Sequence, residues 1–408
     1  MMMLYFTCFF TILLVTVTNS FKIEHIPTEK LNVSEIIKFY GYPCEDYSVT
    51  TEDGYILGVQ RIPHGKGQTY SKSRPAVYLQ HGLLDASPTW IVNPPNEGLG
   101  YLLADAGYDV WLGNSRGNTY SKRNIHFSPA VKEFWQFTFD QMAAYDVPAI
   151  IDTVLEKTGH EQLYYVGHSE GTLIAFIEFS QNQTYAKKVK KFGALAPVAT
   201  VGDIKGLLYY FAKYTGLLNT ALNDYGIYEF MPNTFINKDF AEYICGSFME
   251  PLICNNVLYA ICGPPGGANF NGSQTPVYFS HAPAGTSLQN IIHWEQIVKS
   301  NRTQKFDYGT AGNLAHYGQK TAPYYNVSQL SVPTALFSGS TDFLADPTDV
   351  AVLKQHIKHV LKFDKEYKDY NHLDFVWGDK CFETVDFLVD VKGIAAFDAT
   401  VNAAIFVS

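Results

Sequence analysis

Apolar residues along this chain follow two rhythms. Short runs at 75–84, 108–112, 163–166, 192–197 and 333–338 are bounded by turn residues and predict buried strands. Between them, apolar positions recur at helical spacing over 99–106, 137–155, 173–177 and 349–359 and predict helices. A run at 360–363 predicts a last strand. Near the start, β-prone residues at 47–49 and 55–59 flank Asp53-Gly54 and predict a hairpin. Strands alternating with helices specify the α/β class, with a mostly parallel central sheet. The rhythm breaks near Val201. From there to 326 the chain is aromatic-rich and reads as irregular, interrupted by Pro264-Pro265-Gly266-Gly267. It carries Leu207, Leu208, Tyr209, Tyr210, Phe230 and Met231 and reads as an insertion lying over the sheet.

Residues 4–17 are nearly all apolar and uncharged, and small residues surround position 20. Residues 1–20 therefore read as a signal peptide, although its start carries no Lys or Arg. The run is too short for a transmembrane anchor, and no other stretch is long and apolar enough. A secretory route fits five acceptor sequons, at Asn32, Asn182, Asn271, Asn301 and Asn326. Removing Cys8 with the signal leaves Cys44, Cys245, Cys254, Cys262 and Cys381, so at least one is unpaired within the chain. Cys245 and Cys254 are the nearest candidates for a bridge, and the connectivity stays open. Residues 391–408 form a tail with no clear period.

Composition narrows the function. Hydrophobic residues make up 47% and charged residues 17%, enough for a large core. The net charge of −9 argues against a nucleic-acid partner. No metal cluster is apparent, and no cofactor is implied.

Chemistry enters at Gly167-His168-Ser169-Glu170-Gly171. A β-prone run precedes this G-x-S-x-G and a helical pattern follows it. That is the context of a nucleophile elbow, in which the serine sits on a sharp strand-to-helix turn. The five-letter match alone is weak. It gains weight if a base and an acid follow in the order Ser, acid, His. Asp342 lies just beyond the strand at 333–338, and His372 lies in the loop after the last strand. Asp374 is a rival acid, but it stands too close in sequence to His372 to face it. An oxyanion hole needs two backbone donors. Glu170, after the nucleophile, and Leu83, in His81-Gly82-Leu83, are the candidates. His81 and His168 read as supporting residues, because the base position is already filled.

The chain resembles the acid lipase family, which includes gastric and lysosomal acid lipases. The resemblance runs from about 36 to about 389. It is carried by Thr51-Glu52-Asp53-Gly54-Tyr55, Leu79-Gln80-His81-Gly82-Leu83, Trp111-Leu112-Gly113-Asn114-Ser115-Arg116-Gly117 and Asn371-His372-Leu373-Asp374-Phe375. It implies an α/β-hydrolase core in two parts, 21–200 and 327–390, with a cap and lid insertion at 201–326. It implies Ser169 as nucleophile, Asp342 as acid and His372 as base, with Leu83 and Glu170 as oxyanion donors. It implies a Cys245–Cys254 disulfide with Cys262 free. One departure matters. The family usually has Gln where this chain has Glu170. An ionised carboxylate beside a developing oxyanion is unfavourable unless it points away or is protonated.

The expected activity is hydrolysis of neutral lipid esters, acylglycerols or cholesteryl esters, at a lipid–water interface. The expected location is secreted or lysosomal. The sequence does not specify an oligomeric state. A lipid-binding or carrier protein on a lipase fold, with little turnover, is the alternative, and Glu170 is its ground. A peptidase on the same fold is a third reading.

Overall fold

The computed structural model describes residues 26–210, 225–233, 250–264 and 274–378, with only the backbone for 250–255. The signal segment 1–20, the tail 391–408, Asn271, Cys245, Cys381 and the side chain of Cys254 lie outside the described residues. The expected Cys245–Cys254 bridge falls there too. Cys44 and Cys262 are free.

The strands are β1 (Glu45–Thr50), β2 (Tyr55–Ile62), β3 (Ala76–Gln80), β4 (Asp109–Gly113), β5 (Arg123–Asn124), β6 (Leu163–His168), β7 (Val189–Leu195), β8 (Glu229–Phe230), β9 (Thr286–Ser287), β10 (Thr334–Gly339) and β11 (Leu361–Tyr367). One sheet runs β1-β2-β4-β3-β6-β7-β10-β11, with β5 beside β2, while β8 and β9 pair separately. From β4 to β11 all neighbours are parallel, and β1, β2 and β5 pair antiparallel. The sheet is mostly parallel, as the sequence rhythm requires.

The central strands are legible because they are buried along their whole length. Every residue of β3, β4 and β6 is buried. Strands covered on both faces are near-continuously apolar. Tyr165 in β6 meets Tyr78 edge-on at 5.0 Å, Phe179 at 5.3 Å and Phe192 at 5.5 Å. These contacts seat the helix Glu170–Gln181 on the sheet. Each aromatic pair adds roughly 0.5–1.5 kcal/mol beyond its burial.

Edge elements depart from expectation. The last strand is Leu361–Tyr367, not 360–363, because Asp364, Lys365 and Glu366 continue it with charged side chains. Charges on an edge strand discourage pairing with other chains and hide it from an apolar pattern. The expected helix at 349–359 is Pro347–His356. The helical stretch at 137–155 is divided into Phe139–Gln141, a π-helical turn Met142–Asp146 and Val147–Thr158. The span after Val201 is not irregular throughout. It contains helices Glu250–Cys262, Thr275–His281, Leu288–Ser300 and Gly309–Tyr317.

One buried ion network ties the loops together. The Arg116 side chain is fully buried. Its guanidinium donates to Asp53 Oδ2 at 2.5 Å and Oδ1 at 2.9 Å, and its Nε donates to Asp146 Oδ1 at 2.8 Å. The backbone N–H of Arg116 donates to Asp146 Oδ2 at 3.0 Å. Its charge also lies 4.1 Å from the centre of the Tyr55 ring. The β1–β2 turn, the loop after β4 and the π-helical turn thus meet on one cation. A buried charge left without its partner is costly. Asp146→Ala is expected to destabilise the fold by roughly 3–5 kcal/mol in denaturant unfolding. Asp53→Ala is expected to cost less, because that carboxylate is 28% exposed.

Candidate active site

Strand register aligns the C-terminal ends of the central strands. Gln80 is opposite Gly167, His168 is opposite Leu195, and Phe337 is opposite Leu195. The loops carrying Leu83, Ser169 and Asp342 therefore emerge at one sheet edge. The His372 loop reaches the same place from β11, whose Tyr367 is opposite Gly339. Ligands in open parallel sheets bind outside this edge.

Ser169 holds φ 54°, ψ −120°, a strained conformation for a residue with a side chain. Close packing imposes it. A Cβ on Gly167 would lie 2.6 Å from the Gly171 carbonyl, and one on Gly171 would lie 2.7 Å from the His81 carbonyl. Only hydrogens fit at these two positions. The elbow is locked against the end of β3, and Ser169 Cβ faces Gly82.

His372 Nδ1 lies 3.0 Å from both carboxylate oxygens of Asp342. Asp342 Oδ1 also accepts from the amides of Leu344 at 2.8 Å and Ala345 at 2.9 Å. Asp342, His372 and Ser169 are 1%, 3% and 8% exposed, so the serine is the most accessible of the three. No hydrogen bond joins Ser169 to His372 here. Such bonds are often long without substrate and tighten in the Michaelis complex. Asp374, the rival acid, does not bond the His372 ring; its Oδ2 accepts from the Asn371 amide at 2.7 Å.

Among the described residues, neither the Leu83 amide nor the Glu170 amide has an acceptor. Unsatisfied donors beside a strained serine fit an oxyanion hole. His81 and His168 are neutral struts. His81 Nε2 accepts from the Ser115 amide at 3.0 Å, so its Nδ1 carries the proton and donates to the Gly82 carbonyl at 2.8 Å. Burial lowers its pKa to about 4. His168 Nε2 donates to the His372 carbonyl at 2.9 Å. Burial, with the nearby His372, lowers the His168 pKa to about 3.

The Glu170 carboxylate is buried and turned toward the helix Leu288–Ser300. Its Oε1 accepts from Asn290 Nδ2 at 2.8 Å and Trp294 Nε1 at 2.6 Å. Burial raises its pKa to about 7, against the opposing pull of these two donors. Sequence reasoning missed Asn290 and Trp294. Nothing in their local pattern marks them, because the contact spans 120 positions or more.

A parallel sheet carrying this constellation at its C-terminal edge is that of an α/β-hydrolase. A family model described as alpha/beta hydrolase fold matches residues 75–379, and one described as partial alpha/beta-hydrolase lipase region matches 33–94. A putative lipase from Sulfolobus solfataricus shares the fold at TM-score 0.52 and 15% identity, covering 86% of this chain and 99% of that one. The gastric triacylglycerol lipase of Rattus norvegicus is 49% identical, over 86% of this chain and 88% of its own. The human lysosomal acid lipase/cholesteryl ester hydrolase is 46% identical over the same shares. Lipase lipl-1 of Caenorhabditis elegans is 45% identical over 90% and 92%. The chain belongs to the acid lipase family of α/β-hydrolases.

Glu170 gives a signed pH prediction. Its carboxyl is raised from 4.5 to about 7 in the fold, so the protonated form is favoured. That contribution is complete below the unfolded pKa and is lost as pH rises through about 7. Glu170→Gln is expected to match the parent in stability near pH 4. Above neutrality it is expected to be more stable by an amount on the order of 3 kcal/mol. Thermal unfolding across pH checks this, and a pH-independent difference contradicts it.

Proposed function

We propose that this chain is a serine lipase that hydrolyses neutral lipid carboxylic esters through an acyl-enzyme. The observation that carries the reading is the His372–Asp342 pair, facing the same sheet edge as a strained Ser169. Ser169 Oγ attacks the ester carbonyl carbon and gives its proton to His372 Nε2. The amides of Leu83 and Glu170 receive the oxyanion. The tetrahedral adduct collapses, and the alcohol leaves with the proton from His372. Water, deprotonated by His372, then releases the fatty acid. Asp342 holds the imidazole tautomer and stabilises the imidazolium.

The lipid substrate class rests on the cap. Leu207, Tyr210, Tyr225, Ile227, Met231 and Val257 are large apolar side chains between 45% and 82% exposed in the insertion at 201–326. Exposed apolar surface of this kind suits contact with a lipid phase. Among the described residues no helix is long and apolar enough to cross a membrane. The carrier reading rested on Glu170, and that carboxylate is taken up by Asn290 and Trp294.

We also infer a secretory route, with cleavage near residue 20 and glycans on the sequons. Asn32 and Asn301 are exposed, and Asn326 lies with Asn301 beside a cleft of about 360 Å³.

Ser169→Ala is expected to fold with unchanged thermal stability and to lose esterase rate by a factor on the order of 10⁴ or more. It is also expected to lose labelling by a fluorophosphonate; a purified variant that retains its rate refutes the assignment. Treatment of the secreted protein with an N-glycosidase is expected to shift its mass stepwise, and Asn301→Gln and Asn326→Gln are each expected to remove one step.

A further inference from the structure

The helix Glu250–Cys262 ends against the two loops that carry the proposed acid and base. Its last carbonyl, on Cys262, accepts the Phe343 amide at 3.2 Å and the His372 amide at 3.3 Å. Phe343 follows Asp342, and His372 is the proposed base itself. The next carbonyl, on Gly263, accepts Asn371 Nδ2 at 3.3 Å. A helix C-terminus leaves carbonyls without partners. Here the missing donors come from two separate loops, which fill both lone pairs of one oxygen.

Between the loops themselves, the strand-like bonds stop short of the chemistry. Ser340 N–H reaches the Tyr367 carbonyl at 2.9 Å, and Thr341 N–H reaches the Tyr370 carbonyl at 3.2 Å. Beyond that point, among the described residues, the polar links between the loops are the Asp342–His372 contact and the shared Cys262 carbonyl. The other side of Phe343 is held as well. Its carbonyl accepts the Lys205 amide at 2.8 Å, from the start of the insertion. Lys205 and Cys262 therefore hold the two sides of one residue, Phe343, directly beside the acid.

Gly263 makes this seating possible. Its φ is +112°, and a Cβ there would overlap the Thr341 carbonyl oxygen. Any side chain must lift the helix end from the acid loop or distort the left-handed turn.

We propose that this helix end is a clamp fixing the separation of the acid and base loops, and that Gly263 is its positioning residue. The proposal rests on the reading of Asp342 and His372 as acid and base. In consequence the cap is mechanically joined to the proton-transfer pair, and a shift of the helix end moves Asp342 and His372 relative to one another. Misplacement of about 1 Å is enough to lower turnover by roughly a hundredfold.

The test uses the full-length secreted protein and a soluble short-chain ester, so that lipid adsorption does not enter. Gly263→Ala is compared with the parent after fluorophosphonate titration of reactive sites. The expected result is kcat per titrated site lowered roughly ten- to a hundredfold, with KM within about twofold, and a parallel fall in labelling rate. Gly309→Ala is the control for left-handed strain. Gly309 has φ +73° with nothing within 4 Å of an added Cβ, and its kcat is expected to equal the parent's. An unchanged kcat per site in Gly263→Ala, with or without lower thermal stability, overturns the clamp. If Gly263→Ala does not fold, native-state hydrogen exchange on the parent decides. The Phe343 and His372 amides are expected to open together, and independent exchange overturns the proposal. Failure of the underlying reading is separable, because it appears as retained activity in Asp342→Ala or His372→Ala.

Discussion

Everything at the reactive edge depends on how closely β6 and the helix behind it approach the end of β3. Gly171 sits against the carbonyls of Gln80 and His81, and Gly167 sits against Gly171. That contact holds Ser169 at a positive φ, which local preference opposes. Tertiary packing therefore supplies the energy that keeps the serine strained. The same approach brings Gly82 under Ser169 and fixes where the free amides of Leu83 and Glu170 stand. His81 is braced in turn by Ser115, one position from Arg116 and its buried carboxylates. The elbow, the loop after β3 and the ion network form one continuous support.

The sequence disclosed what is local or covered on both faces. Strands β3, β4, β6 and β10 read directly because burial makes them uniformly apolar. Ser169 and Asp342 were legible because each follows such a strand, and His372 because it lies in the loop after the last strand. Elements that meet water on one side were shortened or missed. Charged residues of β11 concealed its second half, and the aromatic content of the insertion concealed helices among its described residues. Contacts made by distant partners were not legible. Asn290 and Trp294 meet Glu170 across more than a hundred positions, and Cys262 offers a backbone atom that no residue pattern can announce.

Burial keeps titratable groups neutral at the site and along the helix behind it. It lowers His81 and His168 to about 4 and 3, and raises Glu170 and Glu178 to about 7. The two sets respond to pH in opposite directions. The carboxyls contribute most in acid, and that contribution fades as pH rises through 7. The histidines contribute fully above their unfolded pKa of 6.5, and their contribution falls as pH drops toward their folded values. At pH 5 each histidine has given up about 2 kcal/mol by this count.

The span after Val201 touches the reactive edge at several places: Ala284 donates to the Leu84 carbonyl, Lys205 donates to the Phe343 carbonyl, Asn290 and Trp294 hold the first residue of the elbow helix, and Cys262 and Gly263 hold the loops after β10 and β11. This limits how the protein can be cut and recombined. A boundary drawn at the ends of the insertion would treat it as an exchangeable part, yet its contacts reach into the core at positions far from those ends. A chimaera with a relative's insertion would have to carry residues 170, 343 and 371 across with it as one matched set. In a protein laid out this way, the unit of inheritance for specificity is larger than the segment that covers the substrate.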